Sequence, residues 1–220
     1  MSIDTALSPT PRSTVRRLRD RARTDRSELF DVLDGSLVCH LAIVLGGAPI
    51  VLPTGFGRVG NILYLHGSTG SMSMRAALEQ DVSISVTLLD GLVYARSVMH
   101  FSMNYRSAVI HGRCRKVEGD EKIVGLRAIV EHLAPGSWDY AREPNKRELA
   151  ATVVLAIDLT EASVKARTGG PGDDDADIER GGVWAGVLPL QQHWGDPVHS
   201  SDLERAYEVP EHVQQRITMR

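Results

Sequence analysis

The sequence predicts a mainly β protein, a small barrel with helices confined to its margins. Three observations lead there. Apolar or alternating runs of strand length recur from 37–45 to 163–167. Turn-type residues separate them, among them Gly46-Gly47, the stretch 55–61 and Asp90-Gly91. Helical periodicity is limited to a few segments that do not alternate with the strands as βαβ units would, and the chain has no internal repeat.

Residues 1–24 are rich in Pro, Ser, Thr and Arg and read as an arm, mobile or draped over the surface. Its arginines have no interleaved aromatics and acidic residues elsewhere balance them. A solvated arm, or one packed on a partner subunit, therefore fits better than a nucleic-acid contact. Asp25-Arg26-Ser27-Glu28 has the form of a capping box, Leu29, Val32 and Leu33 follow at helical spacing, and Gly35 ends the helix. A strand over 37–45 meets a returning strand over 49–54 through the diglycine hairpin turn, with Pro53 marking an edge or bulge. The glycine-rich stretch 55–61 reads as a connection, 62–65 as the third strand and 71–80 as a helix.

Ser83, Ser85 and Thr87 alternate with apolar partners in a half-buried strand over 82–88. Asp90-Gly91 is then a turn, or a bulge in one long strand that continues through 92–99. A strand over 105–117 completes the β-rich centre, and Ile123, Leu126, Ile129 and Val130 mark a helix over 120–133 closed by Pro135-Gly136. Late strands fall at 151–159 and 163–167, and 169–177 reads as a solvated acidic loop. The polar tail from Gln191 is irregular, with one short helix near 202–207. The expected organisation is an arm (1–24), one barrel domain (25–190) and a tail (191–220).

A chain of 220 residues, 42% hydrophobic and 24% charged, is long enough to bury a real core. Its net charge of -3 gives no reason to expect nucleic acid or an anionic membrane as partner. No run approaches the ~20 apolar residues of a membrane span, and Met1 to Thr10 lacks a signal peptide's apolar core, so the expected location is cytoplasmic. Cys39 and Cys114 then read as reduced, small core residues, and Met72, Met74, Met99 and Met103 as core filler.

Common catalytic signatures are missing. There is no GxxxxGKS/T loop, no GxGxxG, no HExxH and no paired Cys/His spacing, which argues against a metal site. His66-Gly67-Ser68-Thr69-Gly70 has histidine where a nucleophile elbow needs its first glycine. Side chains alone promise no acid/base or nucleophilic chemistry, so an enzyme of this sequence needs a cofactor. The stretch Leu63 to Ser71 offers a place for one: an apolar strand stops at His66, passes through a Gly/Ser loop and reopens as a helix with Ser71 as N-cap. Such a loop presents backbone N–H groups and hydroxyls before a positive helix end, as a nucleotide phosphate requires. A plain loop with a plain N-cap explains the same residues.

Pro53-Thr54, Leu63 to Ser68 with Ser71 and Arg75, Asp90-Gly91-Leu92-Val93, Ala95-Arg96-Ser97 and Ser102 to Ser107 form an ordered set. With Glu131-His132-Leu133, Lys165 to Gly169 and Trp184-Ala185-Gly186-Val187, the set resembles the flavin-binding split-barrel proteins related to pyridoxamine 5'-phosphate oxidase, in particular the nitroimidazole-resistance branch. The resemblance spans roughly 25–190 and implies a six-stranded antiparallel split β-barrel with flanking helices, a homodimer with FMN in a groove between subunits.

By that resemblance Val51, Leu52, Pro53 and Thr54 run beside the flavin ring, and His66, Gly67, Ser68 and Ser71 cradle the phosphate. Asn104, Tyr105 and Arg106 approach from a neighbouring strand, and Trp184 from the late segment. Many relatives carry Arg or Lys where this chain has Met72, which leaves the phosphate charge to Arg75 or Arg106 and keeps weak FMN affinity or another cofactor open. The implied activity is an FMN-dependent oxidoreductase acting on a small molecule. The alternative is a non-enzymatic flavin or haem binding protein, with His66 as a haem ligand. Oxidation of pyridoxamine phosphate itself ranks last, because no Arg/His set for its phosphate stands late in the chain.

Overall fold

The computed structural model describes residues 6–7, 10–203 and 207–218. A helical turn at Arg19–Arg21 leads to β1 (Ala22–Arg23) and α1 (Arg26–Asp34). Asp25 makes no side-chain cap, so the expected capping box does not form. Arg26 is instead buried and donates to the Leu159 carbonyl at 3.1 Å, tying α1 to the barrel rim. The hairpin β2 (Val38–Leu45) and β3 (Ala48–Val59) turns at Gly46 and Gly47, whose φ values of 61° and 81° are those a tight hairpin turn needs. β3 does not stop at Thr54: it runs on through the glycines that read as a connection, pairing with β2 up to Gly55 and with β4 (Ile62–Ser68) from Phe56.

Gly57 explains this, because a Cβ there would lie 2.3 Å from the Ala128 carbonyl oxygen. The glycine is there for the close approach of a helix, not for a turn. α2 (Met72–Glu79) follows with the expected cap, Ser71 Oγ accepting from the Met74 N–H. β5 (Asp81–Tyr94) is one strand with a bulge between Leu89 and Gly91. A 3-10 turn (Val98–His100) precedes β6 (Ser102–Arg113), and beyond Cys114 the chain changes partners as β7 (Arg115–Val117). The helices α3 (Gly119–Leu133), α4 (Ser137–Tyr140) and α5 (Lys146–Ala151) lead to β8 (Thr152–Asp158) and β9 (Ala162–Arg167). α6 (Asp175–Arg180), β10 (Gly186–Pro189) and α7 (Glu211–Thr218) complete the described chain. The short helix expected near 202–207 falls partly outside the described residues.

All pairings are antiparallel, in the order β1-β9-β6-β5-β2-β3-β4-β8-β7 with β10 on β5. Ten strands replace the expected six: seven longer ones, β2 to β6 with β8 and β9, and the short pieces β1, β7 and β10 added at the margins. Leu41, Phe56, Leu63, Leu65, Ile84, Ile110 and Leu155 fill the barrel together with Leu29 and Leu33 of α1. A second cluster, Tyr64, Val117, Ile129, Val154 and Ala156, lies under α3 on the outside. Neighbouring residues of β4 therefore serve both cores, as period-two alternation dictates. Cys39 and Cys114 are free and buried, and burial pushes the Cys39 thiol up to about 12.

Met74 is buried, but Met72, Met99 and Met103 are exposed, contrary to the core-filler reading. No described helix is long and apolar enough to cross a membrane.

Candidate functional site

The barrel is split between β3 and β4. Extending the Phe56↔Leu65 register would set Thr54 against Gly67 and Pro53 against Ser68, but pairing stops at Phe56. Beside the gap α2 packs against β2, β4, β5 and β6, with Met74, Ala76 and Ala77 buried. A Cβ on Gly67 would stand 2.8 Å from Met74 Cγ, so this glycine too admits a helix. Along Val51, Leu52, Pro53 and Thr54, β3 therefore keeps one edge without a ladder partner. Val51 is 60% exposed there.

The loop opposite is the predicted Gly/Ser turn, shortened because β4 extends to Ser68. Ser68 Oγ accepts from the Gly70 N–H at 3.2 Å, and the Ser71 and Ser73 hydroxyls lie 2.9 Å apart. Arg75 donates one guanidinium nitrogen to the Thr69 carbonyl at 3.1 Å and is otherwise exposed. At the start of α2 the Met72 and Ser73 amides lack a partner among the described residues, as expected for the first turn of a helix. Two amides, the Ser73 hydroxyl and the Arg75 guanidinium thus stand together at the start of α2, and as a donor set they fit a phosphate group.

His66 does not join them. It pairs in the ladder with Val154, and alternation turns its side chain to the face of Tyr64, outside the barrel. There it lines an open cleft of about 270 Å³ with Leu126, Val130, Trp138, Arg142 and Leu149. Its imidazole has no hydrogen-bond partner among the described residues, while Arg142 stands paired with Glu148 at 2.6 Å.

Asn104, Tyr105 and Arg106 lie on β6, three strands from β3 and so roughly 14 Å away. Arg106 is held by Asp90 in the β5 bulge through Nε at 3.0 Å and Nη2 at 2.8 Å. Its charge is answered there. Asn104, only 8% exposed, donates to the Gly169 carbonyl at 3.1 Å and accepts from Arg167 at 2.5 Å, fixing the following loop. Tyr105 sits half-buried between Leu89 and Arg167. Trp184 packs 5.5 Å from Tyr94, which lies 5.5 Å from Phe101, on a surface where Val98, Met99 and Met103 are exposed.

The sequence-predicted residues therefore form two groups within one chain: Val51 to Thr54 with Ser68, Ser71 and Arg75 at the split, and Asn104 to Arg106 with Trp184 at the far end of β5. The reading of 169–177 as solvated fails at Asp173, whose side chain is 2% exposed. Burial pushes that carboxyl up, but the Arg96 amide and guanidinium outweigh it and hold it below the usual range. The Arg96–Asp173 and His66–Arg142 neighbourhoods join residues more than 70 apart, and no spacing signal could have revealed them.

The family model for pyridoxamine 5'-phosphate oxidase matches residues 25–166. The structure of the flavocytochrome Anf3 from Azotobacter vinelandii superposes with a TM-score of 0.90 at 34% identity, over 96% of this chain and 98% of that one. The FAD and haem binding protein from Mycobacterium smegmatis gives 0.86 at 38% identity, over 90% and 97%. A 5-nitroimidazole antibiotic resistance candidate from Bacteroides thetaiotaomicron shares the fold, with a TM-score of 0.53 at 21% identity over 66% and 85%. No curated protein matches the sequence.

Proposed function

The chain belongs to the pyridoxamine 5'-phosphate oxidase family, and from that premise we propose that it binds both a flavin and a haem and acts as an oxidoreductase on a small molecule. One observation carries the reading. The likeness to a flavocytochrome and to an FAD and haem binding protein runs over at least 90% of this chain, well past the 25–166 core that defines the family.

The residues present fit a flavin. The Met72 and Ser73 amides, Ser73 and Arg75 would hold its phosphate, with Arg75 supplying the charge that position 72 lacks. The unpaired edge of β3 at Val51 to Thr54 would offer N–H and C=O groups to the polar rim of the ring. A haem would find the unpartnered imidazole of His66 in the cleft with Leu126, Val130 and Trp138, and Arg142 could meet a haem carboxylate only by leaving Glu148. When bound, the two cofactors supply hydride and single-electron chemistry, and the protein orients them and excludes water.

A homodimer belongs to the same proposal. Within one chain the groove lacks Asn104 to Arg106 and Trp184, and a second copy would bring that set to it while covering Val98, Met99, Phe101 and Met103. The test is reconstitution of purified protein with FAD, FMN and haem, read by absorption. We expect flavin bands and a Soret band together, and a dimer mass by light scattering. Arg75→Ala should weaken FAD and FMN binding by about 10- to 100-fold and leave riboflavin unchanged. A protein that takes up neither cofactor, or equal losses for riboflavin, overturns the corresponding assignment.

A further inference from the structure

We propose that the 3-10 turn Val98–His100 and helix α6 together form a binding site for a divalent transition-metal ion, with His100, Asp174 and Asp177 as its ligands. A ring nitrogen of His100 and one carboxylate oxygen from each aspartate lie within 4.8 Å of one another. His100 stands more than 70 positions from the two aspartates, so the fold alone brings it to them. One imidazole with two carboxylates, of which Asp174 is exposed, is a donor set that suits Zn²⁺ with water completing the shell.

The second observation lies behind the imidazole. His100 Nδ1 is shut off from water, has no hydrogen-bond partner and faces Asp173 Oδ1 at 3.8 Å. Asp173 is itself buried and fixed by the Arg96 amide at 2.9 Å and the Arg96 guanidinium at 2.8 Å. A carboxylate behind the ring favours the tautomer protonated at Nδ1 and leaves Nε2 with its lone pair outward. In metal-ligating histidines a ring N–H donates to such a carboxylate, and here Asp173 stands at 3.8 Å, close enough to take that hydrogen bond once an ion fixes the ring.

The charges agree. Arg96 answers Asp173, and Arg180 touches Asp177 at 3.2 Å while 77% exposed, a contact easily given up. Asp174 has no ion-pair partner among the described residues. At Zn–ligand distances of about 2.1 Å the donor atoms of a tetrahedral site stand about 3.4 Å apart. Donor atoms already within 4.8 Å of one another can reach that spacing by rotation of the aspartate side chains.

Chelator-stripped protein titrated with Zn²⁺, followed by calorimetry and metal analysis after dialysis, tests it. The wild type should retain one tight Zn²⁺ per chain. His100→Gln and Asp177→Asn should each weaken that site by about 100-fold, and Asp173→Asn, which touches no metal, by about 10- to 100-fold. A variant lacking the exposed tail imidazoles, His193→Gln with His199→Gln, should keep the site. Circular dichroism unchanged in His100→Gln and Asp177→Asn separates ligand loss from misfolding. No retained Zn²⁺, retention undiminished in both ligand variants, or loss on removing the tail histidines overturns the proposal.

Discussion

Gly57 and Gly55 stand two residues apart on β3 and meet different neighbours. A methyl on Gly57 would collide with backbone, 2.3 Å from the Ala128 oxygen and 2.5 Å from the Ile129 nitrogen, and neither can move without displacing α3. A methyl on Gly55 meets the end of the Leu133 side chain at 3.3 Å, which can rotate away. Gly57→Ala should cost about 3 kcal/mol or more in urea denaturation, and Gly55→Ala less than about 1 kcal/mol. Equal costs would mean that α3 does not rest on β3 as described. The same residues show where the sequence is hard to read. Glycine marks turns and close approaches alike, and the turn reading holds where φ is positive, at Gly46, Gly47, Gly60 and Gly136. At Gly55, Gly57 and Gly67 the chain stays extended and the missing side chain serves a packed neighbour. Which of the two holds depends on a helix distant in sequence.

Elements with a local cause were legible. The β2–β3 hairpin, α2 with its Ser71 cap and α3 with its apolar stripe all follow from residues within a few positions of one another. The arm did not, because its anchors are distant. Thr10 and Arg12 both donate to Glu161, Arg12 reaches Asp81 at 2.7 Å, and the Leu7 amide donates to the Thr24 carbonyl at 2.7 Å. The hydrogen bond from Arg12, then that from Thr10, holds the Glu161 carboxyl down at about 2. A carboxyl depressed in the folded state gives its full support above its ordinary value of about 4.5 and loses it as pH falls toward 2. Protection of the Leu7 and Thr14 amides against hydrogen exchange should therefore fall between about pH 4.5 and 2 in the wild type. In Arg12→Ala it should already be low at neutral pH and change little with acid. A wild-type protection factor that stays flat across this range would remove Glu161 as the anchor.

At the scale of the whole molecule, the sequence named candidate residues without showing that they fall into two separate groups. The loop at Ser68 to Ser71 and the strand at Val51 to Thr54 were read in place, whereas Asn104 to Arg106 and Trp184 fall three strands away or beyond the β5 bulge. Strand order is a long-range property, and periodicity carries none of it. The order has a mechanical outcome. β3 changes partners from β2 to β4 at Phe56, and the β6–β7 segment changes from β5 and β9 to β8 beyond Cys114. Each half-sheet is thus sewn to the other by two continuous stretches of backbone, and neither half can melt while the other keeps its register. The barrel should unfold in a single calorimetric transition, with van't Hoff and calorimetric enthalpies equal in the ligand-free protein. Two resolved transitions would show that the seams part. With the seams closed, a ligand can enter or leave the groove at the split without parting the sheets, because the walls on either side of it are the same pieces of chain.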